Sequence, residues 1–278
     1  MRIVYCGYDF FYGCLEELVK DKNNTIVKIF TFETDNKYNF NDKIKSIAND
    51  NNIPISYDKP SEEELFRLFA EEKVDVIITA GYIYKIPIIN HPNFKGINIH
   101  PTLLPKGRGP WPLPWIILKK EKYSGVTIHR LTVDMDKGPI LLQEKFKVLD
   151  NEDLETLSCR SQVLAKKLIT EVISNFDYYY DNAKEQEEGE YYPYPTDEDM
   201  TFNGFMKVDD IDRIIRAFGK FDSCTSFLGK NFLVHDATCW KEEHKYKPNM
   251  IVHITNKEVL MAVLDGFVCI RYYEEDND

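Results

Sequence analysis

The chain has 278 residues, 43% hydrophobic and 29% charged, which is enough apolar material for a core and a poor composition for a disordered chain. Acids outnumber bases 46 to 35, giving a formal net charge of −11. Such a chain lacks the cationic surface from which affinity for long nucleic acids arises, whereas a small phosphorylated ligand needs only one local lysine or arginine pocket.

Six cysteines stand at 6, 14, 159, 224, 239 and 269 with no C-x-x-C pair, and six scattered histidines include no H-E-x-x-H. Neither a metal site nor a disulfide framework is expected; the thiols read as reduced and mostly buried. The start, MRIVYCGYDFF, lacks the apolar core of a signal peptide, and no run of about 18 apolar residues follows, so a soluble cytoplasmic protein is expected.

In chain order, RIVYC (2–6) reads as a buried strand, followed by Gly7 and a helix through CLEELV. TIVKIF (25–30) is a second strand. Helical spacing appears in NDKIKSIANDNN (41–52) and again in SEEELFRLFAEE (61–72), and VDVIITA (74–80) and GINIH (96–100) are further strands. Strands alternating with helices imply a parallel sheet wound by right-handed crossovers, an α/β, Rossmann-like class. The first turn, CGYDFFYGC, offers only Gly7 and Gly13 where a dinucleotide cradle needs several bare positions, which argues against NAD. No Walker sequence is present.

Beyond residue 100 a proline-rich loop is expected to forbid regular structure. Helices are expected over 116–122 and 153–176, with antiparallel edge strands at SGVTIHRLT (124–132) and ILLQEKFKV (140–148). Residues 185–200, EQEEGEYYPYPTDEDM, read as a hinge-like boundary between a catalytic domain over 1–195 and a small C-terminal domain over 196–278. The latter holds one helix, VDDIDRIIRAF (208–218), and strand-like runs in KNFLVHDATCW, NMIVHIT, VLMAVL and FVCIRYY, making the tail β-rich.

Asn98 and His100 lie two apart at a strand's carboxyl end, so both side chains share one face and point where open α/β sheets bind ligands. An imidazole near its working pH can take a proton from an attacking amine, and an amide NH2 can donate to an oxyanion; the pair suits acyl transfer to nitrogen. Asp136, just before the break at Gly138-Pro139, is a candidate carboxylate to support the imidazole. Taken alone, a strand-end histidine also suits a structural role, and an aspartate before Lys-Gly suits a turn.

The run NIHPTLLPKGRG (98–109) resembles the N-x-H-P-S-L-L-P-x-x-R-G signature of the N10-formyltetrahydrofolate-dependent formyltransferases. GVTIHRLTVDMDKGPILLQ resembles that family's second signature, and IVYCG and AGYIYKIP resemble its first strand and pterin-side loop, so the likeness spans roughly residues 1–175. The resemblance implies that Asn98 holds the oxyanion, His100 acts as base and Asp136 supports His100 and relays protons. It places the tetrahydrofolate head, as co-substrate, against backbone at Ile83, Tyr84, Lys85 and Ile86 and at Thr132, Val133 and Asp134, with no metal. Thr102 departs from the usual serine, and Gly107 stands where an aromatic is common.

Within the family, the purine-pathway enzyme is normally a single domain, so the tail speaks against it. The tRNA enzyme carries a basic C-terminal domain, whereas acids outnumber bases over 196–278 here. YYPYPTDED followed by DRIIRAF resembles the junction in the tRNA and sugar enzymes, without the family's usual Pro-Gly. The bacterial sugar N-formyltransferases fit best. This implies a dTDP-linked 3- or 4-amino-dideoxyhexose as acceptor, a role in O-antigen or surface polysaccharide synthesis, and a homodimer. Tyr82, Tyr84, Trp111 and Trp115 are candidates to stack on base or sugar, and Lys85, Lys106 and Arg108 to meet a pyrophosphate, with packing and solvated charge as the plainer roles. Methionyl-tRNA formylation and a non-catalytic folate- or nucleotide-binding relative remain the alternatives.

Overall fold

The structure, a computed structural model, describes residues 1–275. In chain order the elements are β1 (Arg2–Gly7), α1 (Tyr12–Lys20), β2 (Thr25–Phe30), α2 (Asp42–Asp50), β3 (Ile55–Ser56), α3 (Glu62–Ala70), β4 (Val76–Ala80) and β5 (Gly96–His100). Then follow α4 (Leu113–Leu118), β6 (Tyr123–Arg130), β7 (Ile140–Lys147), α5 (Leu154–Ser174), α6 (Phe176–Asp181), α7 (Asp197–Met200) and α8 (Val208–Asp222). The last strands are β8 (Ser223–Phe227), β9 (Lys230–Lys241), β10 (Ile251–Ile254), β11 (Val259–Val263) and β12 (Gly266–Glu275).

Two compact units result: residues 1–112, 123–147 and 158–192 form one, and residues 113–122, 148–157 and 193 onward form the other. The first contains a seven-stranded sheet ordered β3-β2-β1-β4-β5-β6-β7. Its pairs are parallel up to β4–β5 and antiparallel at β5–β6 and β6–β7. This is the expected Rossmann-like arrangement, with the order reversing between β1 and β4. The strands β1 and β4 are buried almost throughout because helices cover both faces. Leu15 and Leu18 of α1, Ile44 of α2 and Leu168, Ile169 and Val172 of α5 pack on one face, and Leu65, Leu68 and Phe69 of α3 on the other. Ser61 starts α3 by accepting the Glu64 amide on its side chain, satisfying one of the orphan first-turn donors.

The second unit contains a five-stranded antiparallel sheet ordered β10-β11-β12-β9-β8. Helix α8 buries Ile211, Ile214, Ile215 and Phe218, each such side chain stabilising by about 1.5–3 kcal/mol of transfer free energy. Phe227 and Phe232 stack with ring centroids 3.9 Å apart, tying β8 to β9.

Two expectations need correction and a third gains detail. The helix expected over 116–122 begins earlier, at Leu113, and includes Pro114: proline is tolerated in a first turn, where its missing N–H would be unpaired anyway. The division between the two units falls inside the expected boundary 185–200, after Tyr192, and the chain just before it is tied down. Lys184 pairs with Ile140 through both backbone groups, and Tyr191 bridges to Arg108. Of the cysteines, only Cys6 and Cys14 are buried; Cys159 is exposed and the other three are half-buried.

Candidate active site

The site is built on a row that crosses three strands. Thr79 of β4 is in register with Asn98 of β5, and Asn98 is in register with His129 of β6. Residues directly opposite in neighbouring strands project from the same face, so these three side chains meet. Thr79 Oγ1 lies 2.7 Å from Asn98 Oδ1 and donates to it. Asn98 Nδ2 lies 3.1 Å from His129 Nε2 and 3.4 Å from Asp136 Oδ1. His129, only 2% exposed, places Nδ1 2.9 Å from the Arg130 carbonyl.

His100 ends β5 two residues on, 4% exposed. Its Nε2 lies 2.7 Å from the Gly107 carbonyl. A carbonyl only accepts, so Nε2 carries the proton and Nδ1 is the exchanging nitrogen. Nδ1 faces Asp136 Oδ1 at 3.5 Å. The loop that supplies Gly107 is fastened to the sheet: the Leu104 amide donates to Thr127 Oγ1, Thr127 Oγ1 donates to Thr102 O, and Gln143 Nε2 donates to Leu104 O. Gly107 has φ +79°, and a Cβ there would lie 2.9 Å from Thr102 Cγ2. Both departures from the family signature therefore meet at one contact.

Asp136 enters from the β6–β7 turn in the left-handed region, φ +57°. That conformation is uncommon outside glycine, asparagine and aspartate. Two restraints hold it. The Gly109 amide donates to Oδ2 at 3.0 Å, and Gln186 Nε2 donates to the carbonyls of Asp136 and Gly138 at 2.9 and 2.7 Å. Gly138 is required because a Cβ would lie 1.9 Å from the Arg130 carbonyl oxygen. Gln186 Oε1 in turn accepts from Arg108, and the Tyr192 amide donates to Arg108 O, so residues 186–192 strap the 105–109 loop to the Asp136 turn.

Asp136 Oδ1 is thus the hub, 3.4 Å from Asn98 Nδ2, 3.5 Å from His100 Nδ1 and 3.7 Å from His129 Nε2. Burial alone would raise the carboxyl's pKa. The His100 and His129 imidazoles in their protonated forms, together with the Gly109 amide, outweigh it and hold Asp136 well below the usual carboxylate range. Burial pushes His100 down from its ordinary value, against the opposing pull of Asp136 and the Gly107 carbonyl. The resting pair is a neutral, proton-accepting imidazole beside an ionised carboxylate. That arrangement can accept a proton at Nδ1 and stabilise it there as a charge-assisted pair.

The other expected residues divide. Ile83, Tyr84 and Val133 are exposed apolar side chains, at 57%, 40% and 67%, and Lys85 and Asp134 are exposed as well. Ile86 is buried and Thr132 half-buried, with Thr132 Oγ1 donating to Asp134 O. Tyr82 buries its hydroxyl without a hydrogen-bond partner, and desolvation raises its pKa. Lys106 is exposed, 4.0 Å from Glu190; Trp111 is half-buried. The Arg108 guanidinium donates through Nε and Nη2 to Gln186 Oε1 and through Nη2 to Glu187 O. Trp115 donates its indole N–H to Pro193 O within the second unit.

Thr79, His129 and Gln186 are absent from the sequence-based set. The alternation Thr127, His129 in β6 carries a signal for the histidine once β5 and β6 are known to pair; nothing in the acidic run around Gln186 marks it. Among the described residues no group of three or more His, Cys, Asp or Glu is placed to hold a metal ion, and no helix is long and apolar enough to cross a membrane.

Comparison with known proteins follows the same geometry. Residues 12–173, which contain all of these strand-borne groups, match the family described as formyl transferase. The methionyl-tRNA formyltransferase of Thermotoga maritima is 27% identical over 285 residues, covering 99% of this chain and 90% of that protein. HypX from Aquifex aeolicus, solved in complex with tetrahydrofolic acid, superposes with a TM-score of 0.70 at 21% identity, covering 100% of this chain and 44% of that one. The N-formyltransferase of Helicobacter canadensis, solved with folinic acid and dTDP-3-aminofucose, superposes with a TM-score of 0.71 at 18% identity over 98% of this chain and 99% of that one.

Proposed function

The chain is an enzyme of the formyl transferase family, and from that premise we propose that it moves a formyl group from N10-formyltetrahydrofolate to the amino group of a nucleotide-linked amino sugar, a dTDP-linked 3- or 4-amino-dideoxyhexose of surface polysaccharide synthesis. The observation that carries this reading is the convergence of Asn98 and His100 on one carboxylate oxygen of Asp136 at the carboxyl end of the sheet. The acceptor amine attacks the formyl carbon, and the carbonyl oxygen gains negative charge. Asn98 Nδ2 is the donor for that oxygen; its longer bond, 3.4 Å to Asp136, is the one it gives up. His100 Nδ1 takes the proton lost by the amine, with the Asp136 carboxylate facing the imidazolium. Collapse breaks the bond from the formyl carbon to N10, and the proton passes to N10. The products are the formamide and tetrahydrofolate, so atoms and charge balance.

The donor's pterin is assigned to the backbone of residues 83–86 and 132–134, where Ile83, Tyr84 and Val133 present apolar surface. The folate found in the HypX and Helicobacter canadensis structures supports that donor class. For the acceptor, the Helicobacter canadensis enzyme shares the fold over 98% of this chain and 99% of its own and was solved with dTDP-3-aminofucose, and the net charge of −11 suits a small anionic ligand held locally better than a tRNA. Tyr82, Lys106, Arg108 and Trp111 are the residues assigned to that ligand, with Arg108 also bonded to Gln186 and Glu187.

Methionyl-tRNA formylation is the second reading, favoured by the Thermotoga maritima relative, which aligns along nearly the whole chain. Turnover with N10-formyltetrahydrofolate on dTDP-3-amino and dTDP-4-amino dideoxyhexoses, UDP-amino sugars and methionyl-tRNA, followed by mass spectrometry, separates them. One dTDP sugar gaining a single formyl group is the expected result. Formylation of methionyl-tRNA alone overturns the acceptor assignment, and silence across the panel overturns the activity.

A further inference from the structure

The orientation of the Asn98 side chain is fixed from two sides by groups outside the catalytic trio. The Arg130 carbonyl, 2.9 Å from His129 Nδ1, accepts and cannot donate, so His129 carries its proton on Nδ1. In the neutral ring Nε2 is then a bare acceptor aimed at Asn98, 3.1 Å from Nδ2 and 3.7 Å from Asp136 Oδ1. On the opposite side Thr79 Oγ1 donates to Asn98 Oδ1 at 2.7 Å, the shorter of its two available bonds, the other being to the Ile97 carbonyl at 3.3 Å. The flipped amide would set Oδ1 against two acceptors, the bare imidazole nitrogen and the Asp136 carboxylate oxygen 3.4 Å away, and would forfeit the donor bond to Asp136. Thr79 is 5% and His129 2% exposed, so water cannot readily compensate for either lost bond.

We propose that Thr79 and His129 are positioning residues that lock the Asn98 amide in a single orientation, its NH2 aimed at the site of the developing oxyanion before substrates arrive. The device is a cross-strand row: a hydroxyl donor on β4, an amide on β5 and an imidazole acceptor on β6, in register. Neither flanking side chain touches the reacting atoms. This rests on the role given to Asn98 above.

Two measurements test it. The first needs no acceptor: ring-nitrogen NMR of the wild-type protein near neutral pH. A His129 protonated on Nδ1 and bare on Nε2 is expected; a ring protonated on Nε2, whether neutral or charged, overturns the proposal. The second is kinetics on the acceptor identified by the panel. Thr79→Val keeps shape and removes the donor, and is expected to lower kcat about tenfold with both KM values within about twofold and the melting temperature lowered by a few degrees at most, the protein staying folded at the assay temperature. Thr79→Ser, which restores the hydroxyl, is expected to recover more than half of the lost kcat. Wild-type kcat in Thr79→Val, or equal loss in both variants, overturns the proposal. Asn98→Ala separates this from its premise. If it leaves kcat unchanged, the oxyanion role fails. If it costs about 100-fold while Thr79→Val costs nothing, only the present inference fails.

Discussion

His100 Nε2 donates to the carbonyl of Gly107 at 2.7 Å, and this single bond decides which nitrogen of the imidazole does chemistry. With Nε2 committed to the loop, proton exchange passes through Nδ1, 3.5 Å from Asp136 Oδ1. The loop is therefore part of the catalytic apparatus, because it sets the tautomer that the strand presents.

The pH dependence follows with a definite sign. His100 works as a base only when neutral, and burial lowers its pKa below the ordinary value of about 6.5. The acid limb of kcat is expected below pH ~6.5, activity being lost as pH falls through the folded-state pKa. Asp136 pulls that pKa upward, so Asp136→Asn is expected to move the limb further down in pH while lowering the plateau about 100-fold. Asparagine tolerates the left-handed backbone at this position, so the fold should persist. A limb above pH ~6.5, or one that rises in the variant, contradicts the pairing.

Gly107→Ala is expected to lower stability by about 1–3 kcal/mol in urea unfolding, because φ is +79° and the new methyl meets Thr102 Cγ2 at 2.9 Å. Adding Thr102→Ser removes that nearest atom but leaves Oγ1 at 3.0 Å, so partial relief is expected in the double variant. Simple additivity of the two changes would show that the contact is not shared.

Gln186→Leu deprives the carbonyls of Asp136 and Gly138 of a donor and Arg108 of an acceptor. The side chain is half-buried, so a loss of about 1–2 kcal/mol is expected in denaturant melts. A several-fold fall in kcat should accompany it, since the strap holds the Asp136 turn. Full activity together with full stability would show that the strap is dispensable.

What the sequence reveals here depends on the range of the interaction. The apolar runs of β1, β2, β4 and β5 and the alternating runs of β6 and β7 name their own strands, because burial on two faces or one leaves a periodicity. Asn98 and His100 are readable as a pair because two residues on one strand share a face whatever the strand pairs with. Thr79 and His129 become visible only through register: they lie 19 and 31 residues from Asn98, and no local pattern says which residue of β4 or β6 will stand opposite. Gln186 is hidden for a related reason. Its acidic, glycine-containing segment resembles a linker, yet its backbone is paired along Ile140 and Arg108. Arg108, a cation beside glycines, also bonds to Gln186 and Glu187, partners that no local pattern announces.

Single-turnover formyl transfer by His100→Asn, measured beside tetrahydrofolate binding to the same protein, tests the central chemistry most directly. Asparagine keeps a polar side chain at the end of β5 but cannot accept a proton at neutral pH. The expected result is no detectable transfer with binding within a few-fold of wild type; normal transfer by this variant would contradict the assignment of His100 as the base.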